Sequence, residues 1–136
     1  MNQFASRLIA VLCALLFAGA MASHAQTSAW TIPATSKNEK SPLTPDAALL
    51  KKGRSIFMSR CQKCHGPAGK GDGPDRDPKN PPANLTASRA DQNPDGVLFY
   101  KVWNGQPPKM PAFKSVISRE EIWTVVEYAK SLRQAP

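Results

Sequence analysis

Cys61-Gln62-Lys63-Cys64-His65 is the stretch on which the reading of this 136-residue chain turns. On one helical turn Cys61 and Cys64 stand at i and i+3, so both sulfurs leave the backbone on the same side. His65, at i+4 from Cys61, shares that side. Such a turn can make two thioether bonds to the vinyl groups of a porphyrin and one axial bond to its iron. The spacing Cys-x-x-Cys-His is the attachment pattern of haem c, and it predicts one covalently bound haem here. Three other chemistries use cysteines in this way. A structural zinc site needs four ligands. A thioredoxin-like pair belongs in a βαβ unit, and the sequence offers no credible strand. A plain disulfide has no use for His65.

The N-terminus narrows the ligand list. Residues 1–7 carry one positive charge, Arg7, and no acid, and residues 8–22 carry no charge at all. Ser23-His24-Ala25 then places small residues at the −3 and −1 positions for cleavage before Gln26. This order reads as a Sec signal peptide over 1–25 and predicts a periplasmic protein. A membrane anchor is the competing reading, but the apolar run falls short of the ~20 residues a span requires, and no positive cluster follows it. Cys13 has no small-residue lipobox before it. Cleavage would remove Cys13 and His24, leaving Cys61 and Cys64 as the only cysteines, His65 as the only histidine, and Met58 and Met110 as the only methionines.

The second axial ligand follows by elimination. Met58 lies three residues before Cys61 on the same helical segment and cannot fold back over the opposite face of the ring. Met110 lies in Gln106-Pro107-Pro108-Lys109-Met110-Pro111-Ala112-Phe113, where prolines restrict the backbone and remove amide donors. That loop can hold a thioether against iron. The alternative is a methionine that only fills core space.

Around these residues the pattern is helical. A first helix is expected from Thr44-Pro45-Asp46, with Thr44 as cap and Pro45 in the first turn. Leu49, Gly53, Ile56 and Phe57 share one face, and Gly53 asks for close approach of another helix. Residues 66–95 are rich in Gly, Pro, Asn and Asp and read as loop. A short helix fits residues 93–103, capped by Asn93 and closed by Asn104-Gly105. Ser118-Arg119-Glu120-Glu121 is a capping box. It opens a last helix with Ile122, Val125, Val126, Ala129 and Leu132 as its stripe, flanked by Trp123 and Tyr128. The fold class is therefore all-α. Residues 26–43 lack periodicity and read as an extended linker, with Trp30 docked on the surface or, less simply, contacting a partner.

The chain carries 13 prolines, 41% hydrophobic residues and a formal net charge of +8, which suits one small domain that attracts acidic surfaces. Nucleic acid is not the expected partner, because the cations are scattered and Trp103 and Trp123 sit in apolar helical patterns. Gly66-Pro67-Ala68-Gly69-Lys70-Gly71 lacks phosphate-loop spacing. An EF-hand counted from Asp72 would end on Ala83 rather than Glu, so Asp72, Asp75 and Asp77 read as turn residues.

From Pro45 to Leu132 the chain resembles the class I mono-haem bacterial cytochromes c. The resemblance is carried by Gly53 and Phe57, the 61–65 motif, residues 66–73, Pro81-Pro82-Ala83-Asn84-Leu85, Asn104-Gly105, Met110-Pro111-Ala112-Phe113, and Trp123, Tyr128 and Leu132. It implies a small cytochrome c fold over 44–136, three to four helices around one haem, with the first and last helices crossing at Gly53. It implies a proline carbonyl, from Pro81 or Pro82, accepting a hydrogen bond from His65. It also implies an electron carrier rather than an enzyme, with His65 and Met110 on the iron. Lys63, Lys70, Lys101, Lys109 and Lys114 are expected to rim the exposed haem edge and steer an acidic redox partner. An electron-accepting subunit of a periplasmic dehydrogenase or oxidase is the alternative role, and an open-site haem enzyme or gas sensor a third.

Overall fold

Five helical segments follow one another along the residues described by the computed structural model, 30–87 and 93–133: α1 (Ala34–Asn38), α2 (Ala47–Arg60), α3 (Gln62–His65), α4 (Asp95–Asn104) and α5 (Arg119–Ser131). Among the described residues the only β-type pairing is an isolated bridge between Gln106 and Met110. The expected signal peptide over 1–25 lies outside the described residues.

The α5 helix begins as its sequence requires. Ser118 Oγ accepts from the Glu121 amide at 3.2 Å, and the Glu121 carboxylate accepts from the Ser118 amide at 2.8 Å. Its buried surface is wider than one stripe: Ile122 through Glu127 are all buried. The reason is that α5 is covered from two sides, by α2 and by α4. Trp123, expected at the flank, belongs to the core and stacks on Phe99 of α4 at 4.2 Å between centroids.

Helix α2 starts two residues later than expected. Asp46, not Thr44, is its cap, with the carboxylate accepting from the Leu49 amide at 2.7 Å. A charged acceptor at the positive end of the helix dipole outcompetes a hydroxyl two residues upstream. The α2–α5 crossing explains Gly53. A Cβ built there would sit 2.6 Å from the Thr124 carbonyl oxygen and 2.7 Å from Tyr128 Cβ, so only glycine lets the two backbones meet. Next to it Phe57, 1% exposed, packs its ring 5.4 Å from that of Tyr128. Burying such a ring contributes about 1.5–3 kcal/mol.

Helix α4 has the expected length, shifted by about a residue. Its cap position is Pro94, without a side-chain hydrogen bond. Asn93 does not cap it; the Asn93 side-chain oxygen accepts from Lys101 Nζ at 2.6 Å.

The segment read as an extended linker is ordered where it is described. Its α1 turn packs on α4, and Trp30 lies beneath Lys101, whose Nζ is 5.6 Å from the ring centroid. No 3.6-residue pattern announces this, because a five-residue helix has no complete apolar face to display.

Candidate haem-attachment site

Cys61 ends α2 and begins the turn that carries the three predicted attachment residues. Its amide donates to Phe57 O at 2.8 Å, and its own carbonyl accepts from His65 N at 2.9 Å. The backbone breaks at Cys61 (φ −115°) and resumes as α3, so Cys61, Cys64 and His65 occupy one turn as their spacing requires. The loop that follows clamps this turn. Lys63, Cys64 and His65 carbonyls accept in turn from Asp75 N at 2.8 Å, Gly73 N at 3.1 Å and Gly71 N at 2.8 Å. The last carbonyls of a helix have no partner within it, and here the loop supplies one to each.

The two thiols are not joined to each other. Burial, and then the neighbouring Cys64, push the Cys61 thiol up to about 12, so it stays protonated. A redox thiol or a zinc ligand needs the thiolate. Among the described residues no three His, Cys, Asp or Glu side chains converge on a common metal position.

His65 is held below the usual imidazole range, chiefly by burial, against which the backbone at Ala83 works. Its Nδ1 is buried and completes no hydrogen bond of normal geometry. The backbone group beside the ring is thus Ala83, one residue past Pro81 and Pro82, where the supporting carbonyl was expected. The Pro82 carbonyl faces Gly71 instead.

A cleft of ≈ 370 Å³ joins the turn to the methionine loop. Cys64, Pro82, Pro108, Lys109 and Pro111 are among the residues that line it. Met110 itself is half-buried and packs on the core of Phe99, Phe113, Ile122, Trp123 and Val126. Its loop is closed by Gln106 N donating to Met110 O at 2.7 Å and Met110 N donating to Gln106 O at 3.1 Å. Two unjoined cysteines, a half-buried imidazole whose Nδ1 is buried and unsatisfied, and a cleft bounded by the Met110 loop fit a haem c. Cys61, Cys64 and His65 share one turn, and Met110 stands on the loop between Gln106 and Pro111.

The rim differs from the one expected. Lys109 lines the cleft, but so do Asp75 and Asp77. The Lys79 amide and the Asn80 side chain hold the Asp77 carboxyl below its usual range, and Lys109 adds a smaller pull. Lys63, Lys70 and Lys114 are exposed. Lys101 is not a rim group: it is half-buried between Asn93 and Trp30, and burial lowers its ammonium. Asp75 and Asp77 read as turn residues in the sequence because only their placement across the loop, not their spacing, brings them to the cleft.

Residues 48–128 match the family model described as cytochrome c oxidase, cbb3-type, subunit III. The chain belongs to that family of c-type cytochromes. No curated protein matches it. Among solved structures it is similar to the KustC0563 c-type cytochrome, with a TM-score of 0.52 and 17% identity over 60% of this chain and 98% of that one. It is also similar to cytochrome cL from the marine methylotrophic bacterium Methylophaga aminisulfidivorans MPT, with a TM-score of 0.56 and 20% identity over 82% of this chain and 72% of the other. At these identities the likeness concerns the fold. Membership of the family implies covalently bound haem c and haem-based electron transfer with redox partners; such a domain carries electrons and is not itself an enzyme. Among the described residues no helix is long and apolar enough to cross a membrane.

Proposed function

We propose that this cytochrome is an exported carrier of single electrons with one haem c, attached through Cys61 and Cys64 and ligated by His65 and Met110. The observation that carries the reading is that Cys64 and the residues on either side of Met110 bound the same cleft. When bound, the haem supplies a one-electron couple whose potential histidine–methionine ligation raises. The chain supplies the rest. The 61–65 turn, clamped through three carbonyls, anchors one side. The prolines flanking Met110 restrict its backbone. The apolar core beneath Met110 keeps water from that side. Export is supported by the signal-peptide pattern of residues 1–25. The exposed Lys63, Lys70 and Lys114, with Lys109 at the cleft, favour a partner with an acidic surface. Asp75 and Asp77 on the same rim make the pattern mixed, which favours one docking register over others.

The test is carbon monoxide binding to the ferrous protein together with its optical spectrum. Slow or partial binding in the wild type and rapid, full binding in Met110→Ala are expected. Rapid, full binding in the wild type at neutral pH would remove Met110 from the iron and favour an open-site enzyme or sensor. Electron-transfer rates that do not change with ionic strength would remove the steering role of the lysines.

The family description names an oxidase subunit, which favours a second reading: an electron-accepting subunit of a larger complex. Isolation from the native periplasm as a stable assembly, rather than as a monomer, would select it. Trp30 is a poor docking arm for such an assembly, since Lys101 of the same chain already covers it.

A further inference from the structure

We propose that residues 30–43 are a brace that caps α4 from outside the helix and, through α4, holds the Met110 loop in position. This rests on the ligand reading above for its redox consequence, but not for its structural content. The brace lies outside the family match, which begins at residue 48.

The first amides of a helix have no partner within it, and α4 has no side-chain cap of its own. The strap provides one. Gly96 N, in the first turn of α4, donates to the Glu39 carbonyl at 3.0 Å. Ser41 N donates to Asp95 Oδ2 at 3.1 Å, and the other Asp95 oxygen meets Lys130 of α5 at 2.8 Å. Glu39 also pairs through its carboxylate with Arg119, whose guanidinium lies 4.4 Å from the Phe99 ring centroid and 5.5 Å from that of Trp103. Leu43 packs against the same core as Met110. The approach is close enough to forbid a side chain at Gly96, where a Cβ would lie 2.7 Å from Glu39 Cβ and 2.8 Å from the Glu39 oxygen. Random docking of a linker does not require a glycine on the helix it touches.

The other end of α4 holds the methionine loop. Phe113 N donates to Val102 O at 3.1 Å, and Lys114 N to Trp103 O at 3.3 Å. The backbone of Pro111 and Ala112 rests directly on Gly105, the residue that ends α4. Helix α4 is therefore a rigid rod with the strap at its N-terminus and along one side, and the Met110 loop at its C-terminus. Residues 36–41 act on Met110 through the rod, as positioning residues.

The experiment is hydrogen exchange, read by mass spectrometry, on the intact haem-loaded protein as wild type, Gly96→Ala and Glu39→Gln. At an unencumbered helical site Gly→Ala is stabilising. Here the new methyl displaces the strap while favouring α4 itself. Exchange in residues 30–43 and in residues 105–114 is expected to rise together by about tenfold, while Ala47–Arg60 keeps its protection. The methionine–iron charge-transfer band should weaken in step. A strap that exchanges freely beside an unchanged 105–114 loop overturns the proposal. Should Gly96→Ala not accumulate, Glu39→Gln makes the same comparison through the lost ion pair. A wild type without the methionine band would defeat the ligand reading alone, because exchange in 105–114 still decides the brace.

Discussion

The 61–65 turn and the Met110 loop bound the same cleft by different means. Every hydrogen bond that shapes the turn comes from within about a dozen residues: Phe57 before it, and Gly71, Gly73 and Asp75 after it. The Met110 loop is tied to α4, and α4 is tied to partners far away in sequence. Ser41 and Asp95 are 54 residues apart, and Glu39 and Gly96 are 57 apart. Local contacts close small loops at little entropic cost, whereas distant ones hold only while the whole domain is folded. The attachment side should therefore outlast the methionine side whenever the fold is stressed.

The most severe way to break this contrast is to destroy what both regions stand on. Gly53→Val pushes a branched side chain into the Thr124 carbonyl and Tyr128 Cβ at the α2–α5 crossing. A loss of about 3 kcal/mol or more is expected, read as a collapse of the thermal transition. An unchanged midpoint would show that the crossing does not need glycine.

Met110→Ala strikes only the methionine loop. It removes a half-buried side chain from the core edge, so a loss of about 1–2 kcal/mol is expected, below the roughly 2–5 kcal/mol of fully buried truncations. The midpoint potential should fall, while the haem stays attached in a denaturing gel. A haem that detaches would mean that the two sides are not independent.

Acid should sharpen the contrast. Burial raises the Asp95 carboxyl, but bonds from Lys130 and the Ser41 amide outweigh it and, with Lys40 nearby, leave it below its ordinary value of 3.8. Lys130, raised by Asp95 and Glu127 against the effect of burial, stays charged throughout. Arg133 faces the same carboxylate and also stays charged. A depressed carboxyl contributes stability that is complete above its unfolded value and lost as pH falls through its folded one. Exchange in residues 30–43 should thus be steady from neutrality down to about pH 5 and rise below about pH 4, ahead of exchange in the 61–65 turn. Equal sensitivity of the two segments would remove Asp95 as the strap's acid-labile contact.

The smallest effect belongs to a contact that serves neither region. Lys52 and Glu120 approach at 3.4 Å with side chains 54% and 70% exposed. Lys52→Gln should change stability by less than about 0.5 kcal/mol, within the scatter of urea titrations.

The parts that were legible in the sequence share a local cause. The Ser118 capping box needs only residues 118 and 121, and the last helix began where it was expected. Cys61, Cys64 and His65 declare their chemistry through one helical period. Gly53 was an anomaly in a helix, and a helix crossing was the ordinary explanation. The misreadings fall where a competitor lay beyond the window. Asn93 is a good cap by type, but Lys101 takes its side chain. Lys101 is a surface cation by type, but Trp30 and Asn93 hold it inside. Pro81 and Pro82 were the expected partners of His65, but the loop's path sets the Ala83 backbone beside the ring.

By itself the sequence determined the attachment turn, the all-helical class and the short list of possible axial ligands, because each follows from residue type and spacing within a few positions. Only the tertiary structure decided that a patternless leader meets the first turn of α4 across more than fifty positions, that acids share the cleft with Lys109, and that the chain after Met110 is tied to the end of the same helix. Those outcomes come from backbone amides, carbonyls and a missing Cβ meeting across the fold, and such groups carry no side-chain signature for a sequence to display.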